Sequence, residues 1–118
     1  MKRPVSHPHD PPDAEALRRL RELAALSLHR SVFGVAAWAA AAGLSERTLY
    51  RRLHQLTGQP PAAYLRQLRL ERAHQLLLTK ALPSVDEVAA AVGFDDASYF
   101  ARVFHRHFGL RAYDLLSA

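Results

Sequence analysis

Apolar residues recur along this chain at helical spacing, and one arrangement of them occurs twice. Val35-x-x-Trp38-Ala39-x-x-x-Gly43-Leu44-Ser45 is echoed by Val85-x-x-Val88-Ala89-x-x-x-Gly93-Phe94-Asp95. After a slip of one residue, Leu49, Arg51, Leu53 and Gly58 answer to Phe100, Arg102, Phe104 and Gly109. An alanine inside a short helix lets two helices cross closely, and the glycine four residues on takes a tight, left-handed turn between them. That is the pattern of a helix-turn-helix, a unit whose second helix serves mostly to enter the major groove of DNA. Chance supplies one Ala-x-x-x-Gly easily, but not two frames kept in step.

The elements follow from the same periodicity. Asp13 can cap a helix after Pro12, with Glu15 in the first turn where the helix dipole favours a carboxylate. Leu17, Leu20, Ala24 and Leu28 share one face, Glu15 with Arg19 and Arg18 with Glu22 are spaced as surface pairs, and the helix is expected to reach about His29. Val35 to Ala42 is the next helix, with Val35, Trp38, Ala39 and Ala42 inward and Gly34 as a poor cap. Ser45 caps a third, running to Leu56 on a core face of Leu49, Leu53 and Leu56, and Gly58 stops it. Pro60-Pro61 opens a helix to about Thr79, roughly 28 Å long. Tyr64, Leu65, Leu68, Ala73, Leu76 and Leu77 give that helix more than one apolar face, as suits a brace between two packed units. Leu82-Pro83 breaks the chain, and Ser84-x-x-Glu87 is a capping box ahead of the second motif. Asp95 or Asp96 caps a helix with Tyr99, Phe100, Val103 and Phe104 inward and Arg102 and Arg106 outward. Gly109 ends it, and Ala112 to Leu116 form a short closing turn. The chain therefore reads as all-α, without a strand. It divides into a disordered Pro-rich tail over 1–12, a first helix-turn-helix unit over 13–59, a linker helix over 60–80 and a second unit over 81–118.

Composition changes this picture in two ways. A chain of 118 residues with 49% hydrophobic content can form one packed domain, or two very small ones sharing a core. The net charge of +5 comes almost wholly from arginine, which favours planar, bidentate phosphate and guanine contacts. A GC-rich coding sequence would also enrich arginine, so charge alone leaves the partner open. The absence of cysteine removes disulfides, thiolate metal sites and a cysteine nucleophile together. No apolar run approaches the roughly 18 residues of a membrane helix. Met1-Lys2-Arg3-Pro4 leads into no apolar core and is not read as a secretion signal. A cytoplasmic, nucleoid-associated protein is the expectation.

The candidate chemistry lies on the outer sides of the two second helices. The first offers Glu46, Arg47, Thr48, Tyr50, Arg51 and His54, with Arg47 and Arg51 projecting toward the same few base pairs. A bidentate arginine on guanine is worth about 1–3 kcal/mol of discrimination. Tyr50 and Thr48 can hydrogen-bond or touch a thymine methyl. The bland alternative is that Arg47, Arg51 and Arg52 form an ordinary solvated face; on the second helix of such a unit, base and phosphate contact is the better reading. The second motif presents Ala97, Ser98, Ala101, Arg102 and His105, with Arg106 beyond, and is poorer in readers. Asp95-Asp96 is expected to cap and to pair with a nearby arginine. Seven histidines raise a metal or catalytic reading, but His105 and His107 diverge on a helix and His7 and His9 lie in the tail. No His-Glu-x-x-His, phosphate loop or nucleophile elbow is present, so no cofactor, metal or enzymatic activity is expected. His54 and His74 read as surface or partly buried histidines.

At this point the residues resemble a known family. Ser45-x-x-x-Leu49-x-Arg51-x-Leu53, Gly58-x-x-Pro61-x-x-Tyr64-Leu65, Arg69-Leu70-x-x-Ala73 and Val88-Ala89-x-x-x-Gly93-Phe94-x-Asp96-x-Ser98-Tyr99-Phe100-x-x-x-Phe104 are similar to signature runs of the DNA-binding domain of AraC/XylS-type bacterial transcription regulators. The likeness covers about Val35 to Leu116, with the helix from Asp13 as the family's first. It implies seven helices, with two recognition helices entering adjacent major-groove segments on one side of the duplex. Carried over by position, Arg47, Tyr50 and Arg51 are base readers, Ser98, Ala101 and Arg102 match the second set, and Ser45, Thr57 and Arg106 contact the backbone. Arg52 is added to the phosphate set. Leu53 stands where phenylalanine is usual, Ala112 replaces a common proline, and Leu115-Leu116 replaces an aromatic-arginine pair. The resemblance further implies a standalone monomeric activator that touches RNA polymerase and takes no small-molecule effector, unless a sensor or dimerisation domain belongs to it.

Other functions stay open at this level. The Pro-rich tail and alanine-rich second recognition helix also suit a protein-interaction module that binds RNA polymerase or another regulator. A nonspecific architectural binder would show steep salt dependence with little sequence preference.

Overall fold

The structure is a computed structural model that describes residues 12–118. Among them run seven helices and no strand: α1 (Pro12–Ala25), α2 (Val35–Ala42), α3 (Glu46–Thr57), α4 (Pro61–Leu78), α5 (Val85–Ala91), α6 (Ala97–Phe108) and α7 (Ala112–Ser117). The all-α expectation holds. The tail over 1–11 lies outside the described residues.

The two helix-turn-helix turns are built alike. In the first, Gly43 is left-handed, its N–H donates to Ala40, and the next N–H, of Leu44, reaches back to Ala39. In the second, Gly93 donates to Ala90 and Phe94 to Ala89. Both are Schellman closures, in which a left-handed residue past the helix end lets two N–H groups satisfy orphan carbonyls. Ala39 and Ala89 lie buried at the crossings, as their small size requires. α4 ends in the same way with Lys80 at φ 52°, its N–H bonded to Leu77 and that of Ala81 to Leu76. The Lys80 ammonium then donates to the Leu115 and Leu116 carbonyls, so it ties the end of the brace to the end of α7.

The apolar residues form two clusters. Leu20, Ala24, Trp38, Leu49 and Leu53 gather around Tyr64, Leu65 and Leu68 from the first half of α4. Val88, Ala89, Val92, Phe100, Val103 and Phe104 gather around Leu70, Ala73 and Leu77 from its second half. α1, α2 and α3 pack on one another and on α4; α5 and α7 pack on α4, and α6 on both of those. The buried Trp38 indole N–H donates to the Leu20 carbonyl at 2.9 Å, which fixes α1 against α2.

Four sequence expectations need correction. α1 stops at Ala25 rather than His29; two successive turns, Ser27 to Ala24 and Arg30 to Ser27, carry Leu28 inward without continuing the helix. The four-residue spacing from Ala24 to Leu28 looked helical because a turn can hold the same face. Asp13 lies inside the first turn of α1, not at its cap, and Pro12 belongs to the helix rather than the tail. Arg18 also lies 3.8 Å from Glu15, one turn back. Tyr99 is 38% exposed, since it sits about 100° around the helix from Phe100. Its ring leans on Phe94 and lies beneath the Arg102 guanidinium, 5.7 Å from the ring centroid.

One buried charge connects the halves. Arg69 is 7% exposed, on α4 between the two clusters. Its Nη2 donates to the carbonyls of Phe33 at 2.6 Å and Arg30 at 3.4 Å. Its Nη1 donates to Leu28 on one side and to Val92, at the end of α5, on the other. The irregular stretch between α1 and α2 leaves the Leu28 and Phe33 carbonyls without helical partners, and a buried carbonyl requires a donor. Burial is the main influence on this guanidinium and lowers its pKa, while the charge of Asp95 works the other way.

The matching glycines therefore differ in what they tolerate. A methyl group on Gly43 (φ +72°) would meet nothing, whereas one on Gly93 (φ +87°) would collide with the Arg69 guanidinium and the Leu28 carbonyl oxygen. Gly43→Ala is expected to lower the unfolding free energy by about 1–2 kcal/mol through backbone conformation alone. Gly93→Ala adds overpacking, for about 2–5 kcal/mol in all. Urea unfolding of both variants checks this, and equal losses would refute the collision.

Candidate nucleic-acid interface

α3 and α6 are each twelve residues long, and their positions correspond at an offset of 51 residues. Each begins on a side-chain cap: the Ser45 hydroxyl accepts the Thr48 N–H, and the Asp96 carboxylate accepts those of Ser98 and Tyr99. Each ends on a left-handed glycine, Gly58 or Gly109. The buried faces are Leu49 with Leu53 and Phe100 with Phe104, all four fully buried. At about 100° per residue, the opposite side of α3 carries Arg47, Arg51 and His54, and that of α6 carries Ser98, Arg102 and His105. All six are exposed.

The predicted site residues fall into three groups, with Arg52 apart from them. Arg47, Tyr50 and Arg51 come together on one exposed surface, with Tyr50 52% exposed and its ring stacked over His54. Ser98 and Arg102 occupy the equivalent surface of α6, and Arg106 follows one turn on. Arg52 is exposed but points about 100° away from Arg51, to the flank of the helix. Ser45, Thr48 and Thr57 form the third group, whose hydroxyls already have partners. The Ser45 hydroxyl also donates to that of Thr48 at 3.0 Å. The Thr57 hydroxyl donates to the Leu53 carbonyl at 2.8 Å and accepts the Gln59 N–H at 3.0 Å. These three shape the ends of α3.

Two shallow cavities flank the helices at corresponding places. One, of about 540 Å³, is bounded by Val35, Glu46, Arg47, Tyr50 and the Pro60–Ala62 start of α4. The other, of about 340 Å³, is bounded by Val85, Ala101, Arg102, His105 and the Arg111–Tyr113 start of α7. The repeat therefore extends past the second glycine, with Pro61 and Ala112 buried at equal positions. The side chains differ: Tyr50 answers to Ala101, and Pro60 to Arg111. The interface is thus basic on both helices but varied in shape on the first.

Sequence reasoning missed two residues. Gln55 is exposed one turn beyond Arg51 and corresponds to Arg106, a match the 51-residue offset contains. Arg69 stands in a signature run, and the signal for its role is a charge between Leu68 and Leu70 on a two-faced apolar helix. On α1, the Arg21 guanidinium donates to the Tyr64 hydroxyl at 2.6 Å and to Glu71 at 3.0 Å. Desolvation is the largest influence on it and lowers its pKa, but those two hydrogen bonds and the electrostatic attraction to the same two groups together outweigh it and leave the pKa raised.

No group of three or more His, Cys, Asp or Glu among the described residues is placed to hold a metal. No helix among them is long and apolar enough to cross a membrane. Two such units on one brace helix define a double helix-turn-helix domain.

Residues 38–117 match a family model described as a helix-turn-helix domain. The chain belongs to this family, in its AraC-type double helix-turn-helix form. It is 43% identical over 72 residues to the HTH-type transcriptional activator RhaS of Shigella boydii, covering 61% of this chain and 26% of that protein. It is 40% identical over 95 residues to the transcriptional activator NphR of a Rhodococcus species, covering 80% of this chain and 28% of the relative. The chain thus spans about a quarter of the length of these curated relatives. Among solved structures it is similar to the DNA-binding domain of AdpA, a global transcriptional factor, in complex with a target DNA. That likeness has a TM-score of 0.70 at 36% identity and covers 83% of this chain and 89% of the other. The relatives are transcription regulators, not enzymes.

The caps make a direct prediction. Ser45→Ala and Asp96→Ala should each lower stability by about 1 kcal/mol. Chemical denaturation measures this, and an unchanged midpoint in either variant would mean that its cap bond contributes nothing.

Proposed function

We propose that this chain binds double-stranded DNA sequence-specifically as a transcription regulator and acts as an activator, with α3 and α6 in adjacent major-groove segments. The observation that supports this is the matched pair of capped helices, each twelve residues long and closed by a left-handed glycine, with Arg51 and Arg102 at corresponding outward places. The activator names of RhaS and NphR and the DNA-bound AdpA domain support it.

The residue roles follow from the side-chain positions. Arg47, Tyr50 and Arg51 read bases on the first segment, where Thr48 offers its methyl group rather than its engaged hydroxyl. Ser98 and Arg102 read the second, and Ala101 leaves that reading permissive. Arg52 and Arg106 hold phosphates, while Ser45 and Thr57 meet the backbone through the helix ends they shape. The contact for activation is RNA polymerase, the location is the cytoplasm, and the chain binds as a monomer.

A second reading, a module that binds polymerase without DNA, rests on the exposed apolar side chains of Leu26 (75%) and Val32 (79%) between α1 and α2. Selection from a random duplex library at roughly physiological salt separates the two. Two enriched blocks about 10–10.5 bp apart are expected. Arg47→Ala and Arg51→Ala should each weaken binding to the selected duplex by about 5- to 150-fold, from about 1–3 kcal/mol per bidentate contact. Arg52→Ala and Arg106→Ala should weaken all duplexes alike and reduce the salt slope by about one each. No enrichment, together with retained polymerase binding, would leave the second reading standing.

A further inference from the structure

We infer that Arg69 sets the spacing and angle between the two recognition helices, and so the half-site spacing that the protein accepts. It is a positioning residue, since it lies on α4 away from both outward faces. The inference rests on the proposed two-site DNA binding and adds to it the element that fixes the geometry.

Three observations converge on this residue. The helices of the first unit and those of the second meet mainly through the brace α4. A shared helix fixes an axis, but each unit can still turn about that axis unless something off the axis joins them. Arg69 supplies the join: Nη1 alone donates to Leu28 in the first unit and to Val92 in the second, while Nη2 holds Arg30 and Phe33. Finally, Gly93 has no side chain at the one place where a methyl group would displace this guanidinium. Val92 and Gly93 lead directly through Phe94 to the Asp96 cap of α6. A shift at the guanidinium is therefore passed to the second recognition helix within four residues.

A planar guanidinium holds four carbonyls in fixed directions, whereas a lysine ammonium is a point charge with three freely rotating donors. Arg69→Lys therefore keeps the charge and loosens the angle. One inserted base pair turns the second half-site by about 34° and moves it by about 3.4 Å, which a rigid pair of helices cannot follow.

The test uses the selected duplex, the same duplex with one base pair inserted or removed between the blocks, and a duplex with the first block alone. For the wild-type protein, either spacing change should weaken binding by at least about tenfold. Arg69→Lys should shrink that penalty to less than about threefold while binding the single-block duplex as the wild type does. A second readout needs no DNA. The chain has no cysteine, so Ala40→Cys and Ala90→Cys, at exposed matching positions on α2 and α5, take one spin label each. The distance distribution between the labels should be narrow with Arg69 and broad with lysine.

An unchanged spacing penalty with an unchanged label distribution overturns the inference and leaves two-site DNA binding intact. Equal weakening on every duplex overturns it too, as does a variant that no longer folds, because Arg69 would then serve stability alone. A wild-type protein that selects a single block also overturns it. A wild-type protein that selects no sequence removes the DNA-binding reading itself.

Discussion

The Arg69 guanidinium organises backbone that would otherwise have no place in the interior. Residues 26–33 form turns, and the carbonyls of Leu28, Arg30 and Phe33 face the brace. Taking a charge out of water costs several kcal/mol, and only multiple well-directed hydrogen bonds offset it. Here four carbonyls surround it, with the charge of Asp95 in range. The arrangement is mutual: the loop needs a donor, and the charge needs acceptors. The position of α1 on α2 and the end of α5 both follow from this exchange, as does the requirement for glycine at 93.

Around that centre, one local code is used twice with different fillings. Both units use a buried alanine at the crossing, a Schellman turn and a capped twelve-residue helix. The first unit packs Trp38 against aliphatic neighbours, whereas the second runs an aromatic ladder through Phe94, Phe100, Phe104 and Phe108, with ring centroids 4.6 to 5.6 Å apart. His74 continues the ladder, stacked on Phe108 at 4.6 Å, which accounts for it without any ligand. The turn of the second unit is longer by the residue that makes the sequence echo slip, and this is why Asp96 rather than Asp95 becomes the cap.

Those features that depend on a few neighbouring residues were legible in the sequence. Ser45, Gly58, Pro61, Ser84 and Gly109 mark helix ends because caps and stops act within one turn. At Ser84 the hydroxyl accepts the Glu87 N–H as a capping box predicts, but the Glu87 carboxylate takes the Ser84 hydroxyl instead of its N–H. Features set by distant partners were not legible. The end of α1 depends on carbonyls claimed by a residue about forty positions away, and Tyr99 turns outward because Phe100 already fills the space beneath it. The outward positions of Arg47, Arg51 and Arg102 could be read from periodicity. The commitment of the Thr48 and Thr57 hydroxyls could not, since it depends on side-chain rotation.

The two units also differ in how firmly their recognition helices are held. α3 leaves through Gly58 into Gln59, whose side chain donates to Gln67, which donates to Glu71, which accepts from Arg21 on α1. A polar chain thus runs from the exit of α3 across α4 to the opposite side of the first unit. Hydrogen bonds of this kind in partly buried surroundings resist displacement of any one member. Among the described residues α6 has no counterpart to this chain; its neighbour α7 is short, and its last carbonyls accept from Lys80, just past the end of α4. The helix with the more varied outward face is therefore the one with this polar chain behind it. Reading demands fixed geometry, because a bidentate contact fails when its donors are misplaced, whereas phosphate contacts accept small shifts.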